Sequence, residues 1–542
     1  MVPSLSLIGR AIGLAVLAWL LLVVLRWGDP RLAGLLANTA WLAFGASAIA
    51  VPVGTFCAVA IVKTNVPGRY VAALLLASVV FVPIFVQAAA WDSGFGMQGW
   101  YTLETNPRLT TVPLLAGWPA AIWVHGLAAV PWVALIVGVS LRNVEPELEE
   151  DAVLHAPPAT VLWKVSTRRC VMAMVVAGVW VLIVCTAEIS VTDLFQVRTF
   201  AEEVYTQSTL GTLDMLGDND SVDQAGLGAV GLIVGLALTV VLVVASLLVA
   251  MWLWPEVSEP PTRPGWVARL GKIRWLVGLV LWVLLTVLVG VPLASLVHKA
   301  GVSVSSTERG RQRSWSARKA MTLVAMAPWE HRRELLQTTK IAAAAATAAV
   351  LVGFGLAWSL RRNRRVAWSR LGLLGFCLTI PGPLLGLLVI RLMNQPPDSW
   401  LAPLAWLYDD TLFAPWLVQT IRALPVATLV LWPALASIPQ SLLDSAATAG
   451  AGSLSRLLLI VLPSRWFALL AAWMLAFAVA AGELAATILV IPPGPTTISI
   501  RIFSLSHYGV EDRLASICLV IMGVVAVTTV VAAALLGWIR RK

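Results

Sequence analysis

The sequence predicts an all-α transmembrane protein with about 12 membrane-spanning helices, arranged as two tandem six-helix halves. Three observations lead there. Hydrophobic residues make up 59% of the 542 residues and charged residues only 12%, whereas a soluble domain carries roughly 25% charge. Apolar stretches of the length that crosses a bilayer, about 20 residues, recur along the chain. A polar loop in the first half also realigns on the second half at a constant offset.

The apolar stretches fall at 11–27, 37–62, 70–92, 116–141, 170–188, 226–254, 275–297, 341–360, 371–393, 415–437, 466–491 and 514–538. The first, Ala11 to Leu25, has no small-residue cleavage site after it and reads as a retained helix. An even number of spans puts both termini on one side. With the N-terminus in the cytoplasm, cytoplasmic segments hold 21 basic residues and external segments 16, nine of those in the single loop 298–340. Long loops are translocated despite their charge, so the positive-inside rule places both termini in the cytoplasm of a bacterial inner membrane. The net charge of +10 is accounted for by these flanking residues, and no nucleic acid partner is expected. Trp27, Trp91, Trp100, Trp252 and Trp254 sit near span ends, as in interfacial belts facing membrane lipid. The five cysteines, at 57, 170, 185, 377 and 518, lie in or beside apolar stretches with no metal-ligand spacing, and read as small buried hydrophobes. The five histidines are scattered, so no metal site is expected.

The segment 255–274 is proline-rich and basic. It reads as a cytoplasmic linker between a first half, 1–254, and a second half, 275–542. Pro131 to Ala152 aligns with Pro425 to Ala446 at an offset of 294, and Glu188 to Thr192 with Glu483 to Thr487 at 295. Parallel repeats are common in transporters, where the path lies at the repeat interface. The loop after the tenth span reads Asp444-Ser-Ala446, then Gly450, then Ile460-Val-Leu462-Pro463. The first-half copy reads Glu150-Asp-Ala152, with Ala156 where the glycine stands and Arg168 where the last proline stands. Each loop suits a short helix with Pro146 or Pro439 in its first turn. Ala446 and Gly450, four apart, share a face. Gly450 suits a left-handed cap, and Pro157-Pro158 ends the first copy.

This second loop resembles the EAA loop of binding-protein-dependent ABC importer permeases. That motif has an acid, alanine two later, glycine six later, and I-x-L-P beyond. Asp444 replaces the usual glutamate and Ser445 the first alanine. The stretch Thr186 to Tyr205 resembles iron(III)-type permeases, which are often single chains with two six-span halves. The resemblance implies that the loops 143–169 and 438–465 are coupling elements for two separate cytoplasmic ABC ATPase subunits. Glu150, Ala152, Ala156, Asp444, Ala446, Gly450, Ile460, Leu462 and Pro463 would carry that contact. It also implies a periplasmic or lipid-anchored solute-binding protein outside, iron(III) as first cargo, and thiamine, polyamines or other small solutes as alternatives.

Glu188 and Glu483 lie near the external ends of their spans, with Thr192 and Thr487 one turn on. An acid there must face protein or water. The two pairs either line or gate the path between the halves, or are hydrogen-bonded structural acids. Arg422, inside the tenth span, has Ala128 as its counterpart and reads as an ion-paired or snorkelling residue. The chain has no G-x-x-x-x-G-K-[ST], G-x-S-x-G or H-E-x-x-H, so no ATPase or hydrolase site is expected. ATP would be used by the partner subunits, with no cofactor on this chain. The rival reading is a secondary transporter in which Glu188 and Glu483 bind a proton or sodium ion. A membrane enzyme lacks any cluster of nucleophile, base or metal ligands.

Overall fold

A computed structural model of the chain describes residues 30–105, 113–209, 234–244, 265–307, 310–362, 364–396, 398–508 and 511–539. Over these residues it is an all-α membrane protein carrying one two-stranded ribbon. Seven helices are long and apolar enough to span a bilayer: α1 Pro30–Lys63, α2 Gly117–Arg142, α3 Ile273–Gly301, α4 Arg332–Leu360, α5 Phe413–Ala436, α6 Ser453–Ala481 and α7 Glu511–Val530. Three bent helix pairs raise the number to as many as ten. Of the remaining expected spans, 11–27 lies outside the described residues and 226–254 is described only over Val234–Val244.

The bent pairs correct the straight spans expected at 70–92 and 371–393. Arg69–Val80 meets Ile84–Thr105 at 103°, and Trp368–Thr379 meets Gly382–Met393 at 105°. Pro83 and Pro381 stand at these breaks with extended backbone, each directly before the next helix. Proline has no N–H to continue the ladder and pushes the preceding residue out of helical geometry. The span expected at 170–188 is one helix, Val171–Ala187, which meets the preceding helical segment Pro158–Arg169 at 59°. The span expected at 466–491 ends as a helix at Ala481.

The segment 298–340, expected as one long external loop, is built structure. Helix α3 runs on to Gly301. An antiparallel ribbon then pairs Val302 with Trp315, and a helix covers Ala317–Glu330. The Ser316 hydroxyl caps that helix by accepting from Lys319 N at 3.3 Å. The Lys319 ammonium donates to Val302 O at 2.6 Å and pairs with Asp512 at 2.9 Å. Lys299 donates to Gln98 O and pairs with Glu511. Two basic residues of the expected loop, Lys299 and Lys319, therefore hold this segment against its own unit.

The chain forms two compact units that cut across the expected domains 1–254 and 275–542. Among described residues, one unit gathers 207–209, 234–244 and 336–497, and the other gathers 30–206, 265–335 and 498–539. Each takes the middle of one half and outer helices of the other. The cause is packing. Leu281, Leu285 and Leu288 of α3 enter the core made by Leu42, Ala46, Val133 and Val137 of α1 and α2. In the other unit, Thr379 donates to Thr239 O of Val234–Val244 at 3.4 Å. Small residues allow the central helices to approach closely. A side chain on Gly54 of α1 would lie 2.6 Å from Val133 Cβ of α2, and one on Gly353 of α4 would lie 2.9 Å from Thr428 Oγ1 of α5.

Candidate functional site

The two loops singled out by the repeat share one backbone design. The first carries a helix over Pro146–His155 and the second a helix over Gln440–Thr448. Beyond each helix comes a break, a short helical turn, and a five-residue π-helix, Leu162–Ser166 or Leu457–Val461. These π-turns fall at the same 295 offset as the glutamates downstream. Such i→i+5 turns are rare in helices, so their recurrence in register is a structural signature of the duplication.

The helices end differently. Gly450 has φ 87°. Its N–H bonds Ala447 O at 3.0 Å, and Ala451 N–H bonds Ala446 O at 2.9 Å. This pair of bonds is the Schellman cap, which needs a left-handed residue. Ala156, at the aligned position, is extended at φ −149°. The following Pro157 disfavours helical geometry there, so an alanine meets no strain.

Of the residues expected to carry coupling, Glu150 and Asp444 are exposed on their helices. Gln440 Nε2 donates to Asp444 at 2.9 Å. Ala152, Ala156 and Ala446 are half-buried and Gly450 is exposed. Ile460 and Leu462 are half-buried and Pro463 is exposed, while Val461, between them, is fully buried.

Sequence reasoning missed the residues that seat these helices. Glu149, one position before Glu150, is fully buried, as is Lys63 at the end of α1. The two form an ion pair at 2.6 Å, and Ser166 Oγ donates to the other Glu149 oxygen at 2.6 Å. In the repeat register Glu149 stands on Leu443 and Ser166 on Val461, both buried apolar residues. That register was available in the sequence. An acid where the other copy has leucine, three residues before Ala152, is the signal that could have found it.

The intramembrane acids also recur. Glu188 accepts from Ser190 N at 2.6 Å, from Ser190 Oγ, and from Val191 N at 3.0 Å. Glu483 accepts from Ala486 N and Thr487 N, each at 2.8 Å, and from Thr487 Oγ1. Each carboxylate thus binds backbone N–H groups of the turn that begins just after its span. Thr192 is buried and its hydroxyl donates to Ile189 O at 3.1 Å; it does not meet Glu188 as Thr487 meets Glu483. A second missed pair lies one helix away. His125 of α2 is 3.5 Å from Glu188, and the aligned residue of α5 is Gln419, buried with an Oε1 that has no hydrogen-bond partner among the described residues. Arg422, one turn further, donates to Leu378 O at 3.4 Å, beside the break at Pro381.

No protein-family model matches the chain. It is similar to the putrescine transport system permease protein PotI of Escherichia coli K12, with 28% identity over 198 residues, covering 35% of this chain and 68% of that protein. The same protein from Escherichia coli O6:H1 matches with the same figures. These similarities, with the apolar helices, support a multi-pass transport permease. They give no support to the iron(III) type.

Proposed function

We propose that this chain is the fused, two-half membrane permease of an ABC importer. It carries a small organic cation of the polyamine class and is driven by two separate ATPase subunits. The observation that carries the reading is the pair of loops 143–169 and 438–465. They repeat one helix, break and π-turn design in register, and the second bears the acid, alanine, glycine and I-x-L-P spacing. Glu150, Ala152, Ala156, Asp444, Ala446, Gly450, Ile460, Leu462 and Pro463 form the surfaces offered to the ATPases, on the cytoplasmic side with both termini. Exposed Glu150 and Asp444 supply charge, and the small residues let a partner come close to the backbone. ATP closure on the partners shifts the population of permease states, and this chain performs no chemistry. A periplasmic or lipid-anchored binding protein selects the cargo.

Putrescine is placed ahead of iron(III) because the relatives named above serve putrescine transport. Glu188 with Thr192, and Glu483 with Thr487, act beside the path by fixing the turns that follow their spans. The same geometry weighs against the ion-gradient rival, since both oxygens of each acid already accept protein N–H or O–H donors. The test is uptake into proteoliposomes holding the chain with the ATPase and binding protein encoded beside it. ATP-dependent putrescine uptake that Asp444→Arg abolishes is expected. Uptake driven by a proton or sodium gradient without nucleotide would replace this reading with the rival.

A further inference from the structure

Lys63 stands where three elements meet. Its side chain is the buried partner of Glu149 on the helix Pro146–His155. Its carbonyl accepts from Ala268 N at 2.8 Å, and Asn65 N–H donates to Ala268 O at 3.3 Å. Thr64 and Ala268 form an isolated parallel bridge, and Leu270 N donates to Asn65 Oδ1 at 3.1 Å. Residues 265–270 belong to the segment that joins the two sequence halves. That segment is therefore hydrogen-bonded to the residues whose side chain holds the first loop helix. Ser166 ties the π-turn to the same carboxylate.

From this juxtaposition we infer that Lys63 is a positioning residue of a junction that makes the first loop helix and the linker move as one body. A displacement of Pro146–His155 is thereby delivered directly to the chain entering the second half. The inference rests on the coupling role proposed above. Its physical basis is directionality. A buried ion pair with a supporting hydroxyl fixes one relative placement of its partners, whereas apolar side chains in contact tolerate sliding. The second loop has the apolar version, with Leu443 and Val461 at the positions of Glu149 and Ser166. The two loops are thus unequal: the first is bolted to the linker through a buried ion pair, whereas the second fills the matching positions with apolar Leu443 and Val461.

The test uses the full chain in lipid nanodiscs with its ATPase subunits, spin-labelled at Leu154→Cys and Arg269→Cys. Both sites are exposed, and all five native cysteines are buried. The native chain should give a narrow distance distribution that does not move on adding Mg-ATP. Lys63→Met alone strands Glu149 and is open to misfolding, so the decisive variant is Lys63→Met/Glu149→Leu/Ser166→Val, which gives the first loop the second loop's apolar filling. It should keep ATPase binding and ATP hydrolysis, lose at least tenfold in putrescine uptake, and show a broadened distance that shifts with nucleotide. A native distance that shifts with nucleotide, or a triple variant with native distances and native uptake, overturns the junction. If no ATPase binds the native chain, the importer reading fails. The junction is then judged on the chain alone, where equal widths in native and triple variant overturn it.

Discussion

The two loops repeat one order of helix, break and π-turn with different chemistry inside. In the first, a buried glutamate is satisfied by Lys63 and Ser166; in the second, Leu443 and Val461 occupy the same positions. In the first, alanine ends the helix in an extended conformation before two prolines; in the second, glycine ends it in a left-handed cap. The comparison teaches that the duplicated element requires a filled seat under the helix and a defined stop after it, and that each requirement has more than one solution. What differs is tolerance. An ion pair fails when one member is lost, whereas an apolar contact fails in proportion to the volume removed.

Substitutions sharpen this contrast in order of size. Glu149→Leu leaves the Lys63 ammonium buried without its partner and should cost about 3–5 kcal/mol, measured as loss of folded protein in a denaturation series in detergent. Adding Lys63→Met should recover most of that loss; failure to recover would show that the seat needs charge. Leu443→Ala, at the matching position, should cost about 2–3 kcal/mol through the cavity it leaves. Gly450→Ala should cost about 1–2 kcal/mol because φ is positive there. A side chain would meet no atom within 4 Å, so the backbone alone sets the cost. Ala156→Gly should change stability by less than about 1 kcal/mol. Equal effects at 156 and 450 would break the claim that the two helices stop by different means.

The smallest expected effect concerns pH. His507 lies 2.8 Å from Asp193, and hydrogen bonding to that carboxylate raises the imidazole above its usual range. A raised folded value means that the contribution is complete below the unfolded pKa of about 6.5 and is lost as pH rises through the folded one. The thermal midpoint of the native chain should therefore fall slightly between pH 6 and 8 relative to that of His507→Ala. The pair is half-exposed, so the difference is small and shrinks with salt.

Much of the architecture was legible because bilayer length and hydropathy constrain a helix strongly. All seven long helices overlap expected apolar stretches, although Ser453–Ala481 is kinked at Arg465 and shifted towards the N-terminus of the stretch 466–491. The elbows at Pro83 and Pro381 were less legible, because an apolar run records burial and not direction. The proline in each run was the available cue. The ordered structure of 298–330 was hidden because its stabilising contacts, Lys299 with Glu511 and Lys319 with Asp512, join residues about 200 positions apart. For the loops, the motif drew attention to exposed Glu150 and Asp444, while the residues that seat the helices lay one position earlier. Motif spacing singles out exposed positions on these helices. What holds the element in place emerges only when the two copies are compared position by position.

The exchange of outer helices between sequence halves bears on biosynthesis. Residues 30–206 and the last helix, α7, share one compact unit, so a ribosome must deliver nearly the whole chain before that unit can close. Contacts this distant in sequence slow assembly and leave apolar faces waiting for partners. Cutting the gene within the linker would therefore yield two polypeptides that each lack helices held by the other, able to complete their bundles only when made together.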